Sequence, residues 1–217
     1  MRLYIFFIIG FTTSVFSQVN PFTSTYQQIP QLPKGVLEAV AYTNTRMQVI
    51  DDHETPSCSG QLLPYGIMGL FENGGNYFIE NGKTIAELSG ISISQQKLDK
   101  QQQILAYGFA LHSLLGNKTH EEMREDPSFI GNALLQLTEI PEDGMVNQFA
   151  RQSFLLEVFR FLNSEEHAEN YNFHIYDFNL SDFFGSENYR VLCAKKITIA
   201  PAEISTSSGD LFTKNNS

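Results

Sequence analysis

The chain has 217 residues, of which 42% are hydrophobic and 18% charged, and its formal net charge is −10. That length suits one domain with a targeting segment and tails, and the apolar content supports a buried core rather than disorder. The acidic balance argues against nucleic acid, anionic membranes and anionic wall polymers as electrostatic partners, and leaves a neutral glycan or a peptide open.

The first segment, MRLYIFFIIGFTTSVFSQ, places one positive charge at Arg2 ahead of an apolar run from Leu3 to Phe11. The run is too short to span a bilayer, so residues 1–17 read as a secretory signal peptide cleaved near Ser17–Gln18. Its removal takes Arg2 and no acid, so the formal charge moves from −10 to −11. The expected product is secreted or periplasmic and has no membrane association.

Residues 18–33 carry Pro21, Pro30 and Pro33 among polar residues and predict an extended lead-in. A helical domain is expected over 34–200. Its first helix has Leu37, Val40, Asn44 and Met47 at helical spacing, with Val36 and Ala41 beside them. That pattern puts Asn44 on the apolar stripe, where a polar group must be hydrogen-bonded or face a cleft. The loop DDHETPSCSGQLLPYG follows, then IMGLFENGGNYF with a Gly-Gly break. KTIAELSGIS predicts a short helix with Gly90 as its C-cap. SQQKLDKQQQILAYGFALHSLLGN predicts the longest helix, with a stripe of Leu98, Leu105, Phe109, His112 and Leu115.

Asp126-Pro127 has N-cap and N1 chemistry for a helix to about Leu137. MVNQFARQSFLLEVFRFLN reads as amphipathic helix, and Ser164 caps a short one through Asn170. YNFHIYDFNL reads as turn-like, SDFFGSE as a short helix and YRVLCAKKITI as extended. Residues 201–217 read as a loose tail. The fold class is mainly α, with irregular loops and a short extended C-terminal segment.

Two cysteines, Cys58 and Cys193, suit an exported chain, where disulfides persist. A bridge between them would close a long loop and stabilise by roughly 4–5 kcal/mol in the chain-entropy model. The alternative is two separate small core residues.

The segment from Gly35 to about Leu115 resembles the goose-type lysozyme and soluble lytic transglycosylase family. The family's Glu-Ser helix is matched by AVAYTNTRM, and its Gly-Leu-Met-Gln turn by YGIMGL, with Gly66, Ile67, Met68 and Gly69 in the four places. The later helix, with an Asp-Pro-x-x-Asn-Ile signature, is matched by LDKQQQILAYGFAL, where Asp99, Gln103 and Ile104 agree in kind and Lys100 replaces the Pro. The resemblance implies that residues 34–200 are a lysozyme-like helical domain.

A second likeness runs from about Gly35 to Ile199. AYTNTR, PSCSG and YGIMGL, followed by FLLEVFRFLN and FFGSENYRVLCA, resemble the N-terminal region of some secreted bacterial N-acetylmuramoyl-L-alanine amidases. There a lysozyme-like domain lacking the acid precedes a zinc amidase domain. The implied partners are peptidoglycan or a related glycan, and an amidase domain or protein.

The departures from the pattern bear on activity. The resemblance puts the family's proton donor at Asn44 and its Ser at Thr45. An amide cannot deliver a proton to a glycosidic oxygen, and general acid catalysis contributes about 10²–10⁴-fold in rate. Gly69 stands where the family has a glycan-contacting Gln. The resemblance therefore implies no catalytic residue, with Asn44 as the degenerate position. Asn44, Tyr65, Met68 and Gly69 are the groove candidates, and Tyr42 and Tyr77 lie near them in sequence.

A relocated acid is the alternative, with Glu54 and Glu72 as candidates and Asp51 and Asp52 in the same loop. These residues read otherwise as solvated loop acids. No HExxH or converging set among His53, His112, His120, His167 and His174 suggests a metal, and no phosphate-binding loop is present, so no cofactor is expected. The DDHE run lacks the spacing of a calcium loop. Asn117 begins an NKT acceptor that matters only in a eukaryotic secretory host.

Overall fold

The computed structural model describes residues 20–51, 64–72 and 79–213. Among them the protein is mainly α-helical, with eleven helices and one two-stranded antiparallel sheet.

The lead-in is not extended throughout. Helix α1 spans Pro21–Gln28. Asn20 caps it by accepting the Phe22 N–H at 3.0 Å, and Pro21 sits at the start, where its missing N–H costs nothing. Prolines were read as breakers; this one is an initiator. Helix α2, Val36–Thr45, follows a left-handed Gly35 and ends at Arg46 and Met47, both with positive φ.

Helix α3 is Asn81–Ser89 and closes on Gly90, as its sequence predicts. The expected long helix is two: α4, Ile93–Leu98, and α5, Lys100–Leu115. Asp99 is extended between them, and its carboxylate caps α5 by accepting the Gln101 N–H at 3.0 Å. The predicted stripe holds in part, since Leu105 and Leu115 are buried. Leu98 is 84% exposed and Phe109 is exposed, while Gln103, Ile104, Tyr107 and Leu111 are buried.

Helix α5 is the axis of the domain. It packs against α1, α2, α3, α4 and α7 (Ser128–Thr138), with α6 (His120–Glu125) beside α7. Helix α8, Met145–Leu162, is the longest and covers α2. Phe159, Leu156, Val158 and Leu162 of α8 are buried with Leu37 and Val40 of α2 in one core. At roughly 25 cal/mol per Å² of apolar area removed from water, this shared core is the main stabilising term.

Helix α9, Glu165–Tyr171, starts on the predicted Ser164 cap. An irregular stretch then leads to α10, Leu180–Phe184. The segment read as extended is helical in its first four residues, where α11 (Ser186–Leu192) ends after burying Asn188 and Val191, and extended only from Ile197. Strands β1 (Ile197–Ala200) and β2 (Glu203–Thr206) form a hairpin, pairing Ile197 with Thr206 and Ala200 with Glu203.

The tail is therefore anchored through Thr213. Ile204, Phe212 and Val191 form a small second core, and Asn188 binds Thr213 by accepting its N–H at 2.8 Å and donating to its carbonyl at 2.9 Å. Cys193 is an exposed free thiol whose sulfur accepts from Arg160 at 3.0 Å. Its expected partner, Cys58, lies outside the described residues. Among the described residues no helix is long and apolar enough to cross a membrane.

Candidate functional site

After α2 the chain runs to Ile50, which meets the segment beginning at Pro64. Ile50 and Gly66 bridge the two strands of chain, with Gly66 N–H donating to Ile50 O at 2.8 Å. Tyr65 and Leu70 then close a tight turn by exchanging two backbone bonds of 2.7 and 3.1 Å. Gly66 and Gly69 both take positive φ inside it. A side chain at Gly66 would collide with the Gln103 amide at 2.2 Å, and one at Gly69 would meet Asn44 Cβ at 2.8 Å. Backbone conformation and close approach both require glycine there.

Three side chains from two helices hold this turn. Gln103, fully buried, accepts the Met68 N–H at 2.9 Å and donates to Tyr65 O at 3.2 Å. Thr45 Oγ1 lies 2.7 Å from Ile67 O and 2.8 Å from Ala41 O, and its single proton serves one carbonyl at a time. The Asn44 amide donates to Met68 O at 2.9 Å. A backbone group buried without a partner costs about 1–3 kcal/mol, so these bonds fix the turn's shape. The residues that do this, Asn44, Thr45 and Gln103, stand at three of the places singled out by sequence.

Their exposure differs from expectation. Asn44 is exposed and not on the buried stripe of α2; Thr45 is the buried neighbour. With its N–H₂ turned to Met68, Asn44 keeps its Oδ1 as an acceptor for solvent or ligand. Met68 is 0% exposed and packs the turn, whereas Tyr65, 4% exposed, also lines the pocket beside it. The Tyr65 ring lies under Lys97, and burial raises its hydroxyl pKa. Gly69 is likewise buried.

A pocket of about 260 Å³ lies beside the turn, lined by Ile50, Gly66, Gln96, Lys97, Lys100 and Gln103 among others. Asn44 is not part of that lining, so the concavity and the contact of Asn44 with the turn are separate features. Of the alternative acids, Glu72 is exposed and ion-paired with Lys97. Asp51 is exposed and also lines the pocket. Asp52, Glu54 and Tyr77 lie outside the described residues. Among the described residues no group of three or more His, Cys, Asp or Glu side chains could hold a metal ion.

Sequence reasoning missed one acid. Glu38, early in α2, is 3% exposed. Tyr26 of α1 donates its hydroxyl proton to Glu38 Oε2 at 2.6 Å, and the same oxygen of Tyr26 accepts the N–H groups of Gly35 and Leu37 at 3.0 and 3.2 Å. Burial pushes the Glu38 carboxyl up to about 7, and the hydrogen bond from Tyr26 partly opposes that rise. A carboxyl tuned so is what general acid catalysis uses. Glu38, however, faces Tyr26 and the fields of Tyr171 and Tyr176, and its 3% exposure is too little for a substrate to reach. Its job is to pin α1 to the start of α2. The signal was present: an acid inside the otherwise apolar run VLEAVA.

No family model, curated protein or solved structure matches the chain.

Proposed function

We propose that this protein is an exported, non-catalytic lysozyme-like module that binds a cell-wall glycan or supports a peptidoglycan amidase. One observation carries the reading. At the end of α2, where the resemblance expects a carboxylic acid facing the turn, an exposed amide donates to the Met68 carbonyl instead. Thr45 and Gln103 support it, because both are committed to the same turn from the places the resemblance names. Gly69 adds no side chain. The arrangement can accept a hydrogen bond from a sugar hydroxyl through Asn44 Oδ1, and it offers no proton to a leaving group.

The test is a paired assay on purified peptidoglycan, measuring retention of the protein and release of soluble fragments. The expected result is retention without release, with retention reduced severalfold by Asn44→Ala. Release by the wild type that is abolished by Glu54→Gln or Glu72→Gln would establish the alternative, a muramidase or lytic transglycosylase with a relocated acid. Neither retention nor release, together with no association with a peptidoglycan amidase, would end both readings.

A further inference from the structure

A second concavity lies between the loop entering α2, the start of α6 and the stretch after α9. It encloses about 350 Å³. That is at the small end of ligand pockets and suits a molecule of dipeptide size. Lys34, His120, Arg124 and His174 line it, and no carboxylate is among its described lining residues. This composition opposes that of the whole chain, which has 24 acidic and 14 basic residues.

Several basic groups elsewhere are paired with acids. Arg46 and Arg160 both meet Glu157, Lys118 meets Glu122, Arg151 meets Glu142 and Arg190 meets Asp210. Lys34 and Arg124 belong to no such pair among the described residues. The acid whose field reaches this region is Glu38, and it is buried and bonded to Tyr26. It does not compete for a ligand.

The pocket is also braced. Arg124 donates to Ile175 O at 2.8 Å and to His174 O at 2.9 Å, and its guanidinium lies 4.2 Å from the centre of the Tyr176 ring. Carbonyls and a ring satisfy its geometry without cancelling its charge. Tyr176 donates its hydroxyl proton to Lys34 O at 2.8 Å, tying the rim together. His120 Nε2 sits 3.0 Å from Gln31 O. A carbonyl only accepts, so Nε2 carries the proton and Nδ1 is left over. Phe173 and Tyr176 form the apolar wall.

We propose that this pocket binds a small carboxylate ligand of dipeptide size. Lys34 and His174 receive the carboxylate, Arg124 contributes a fixed positive field, and Phe173 and Tyr176 receive the apolar part. The inference does not depend on the reading of the turn.

The experiment titrates the isotope-labelled chain with N-acetyl-dialanine and follows the His120, His174 and Tyr176 ring signals by NMR. Saturable shifts at all three are expected, and the neutral amide of the same dipeptide should leave them in place. The double variant Lys34→Gln/His174→Gln should weaken binding at least tenfold, and both altered side chains are exposed, so its fold should persist. Inorganic phosphate separates shape from charge: weaker binding than the dipeptide supports the proposal, and equal or tighter binding reduces the site to a general anion patch and overturns it. Absence of saturable shifts with the dipeptide, or binding that survives the double variant, also overturns it. Asn44→Ala should leave the titration unchanged; a loss there would move the ligand to the turn.

Discussion

The two ends of helix α2 make opposite arrangements from similar parts. Near its start Glu38 carries a proton-bearing carboxyl tuned to about 7, sealed at 3% exposure beneath Tyr26. Near its end Asn44 is exposed and meets the glycine turn, with an amide that has no acidic proton. Acid catalysis needs a proton and access at one atom. Here one end has the proton, the other has the access, and the helix keeps them on different faces. A raised pKa alone therefore does not mark an active site; it marks burial, and the question is whether a substrate reaches it.

The sharpest way to break this contrast is to remove what shapes the accessible end. Gln103→Leu keeps the volume but leaves the Met68 N–H unpartnered and the Tyr65 carbonyl with its Leu70 bond alone, so a loss of roughly 1–3 kcal/mol is expected in denaturant unfolding. Unchanged stability would mean that the turn holds itself. The sealed end comes next. Folded protein keeps the Glu38 proton over a range in which the unfolded chain releases it, so stability is greatest below the ordinary carboxylate range and falls as pH rises through about 7. This group should contribute a loss of about 2–3 kcal/mol between pH 4.5 and pH 8. Glu38→Gln should flatten that part of the profile; an unaltered profile would show that Glu38 titrates normally.

A smaller effect is expected at Gly69→Ala. The left-handed backbone and the 2.8 Å approach to Asn44 Cβ should together cost about 1–2 kcal/mol. Thermal unfolding measures it, and a neutral result would contradict the close packing of helix and turn. The smallest is Asn44→Ala, at about 1 kcal/mol or less, because the residue is exposed and donates one hydrogen bond. Glycan retention should fall more than stability does. If stability falls more, Asn44 is a structural cap for the turn and the binding role loses its support.

Much of the helical order was legible because caps are local. Ser164, Gly90 and the Asp126-Pro127 pair mark boundaries through bonds made within four residues. The misreadings arise where tertiary contacts decide. Pro21 looked like a breaker, but Asn20 before it makes an initiator. The stripe of α5 is only partly legible, with Leu105 and Leu115 buried as expected, because its buried face also includes Gln103, a polar residue whose partners lie in a distant turn. Glu38 stands out as an acid in an apolar run, but its partner Tyr26 lies twelve residues earlier and is not legible locally. The juxtaposition of Asn44 with the turn was readable from motif order, whereas its exposure and the burial of Tyr65 follow from how α2 rotates against α8 and α5.

The turn at 65–70 also has a timing consequence. Its backbone is satisfied by Asn44, 24 residues before Met68, and by Gln103, 35 residues after it. Neither bond exists until α2 and α5 have docked, and closing such loops is paid in chain entropy before any bond is made. The turn should therefore set last during folding and open first in native-state fluctuations. The Met68 amide, locked by one buried side chain, becomes a clock for that opening: its hydrogen exchange reports how often the helices loosen while the rest of the core stays shut.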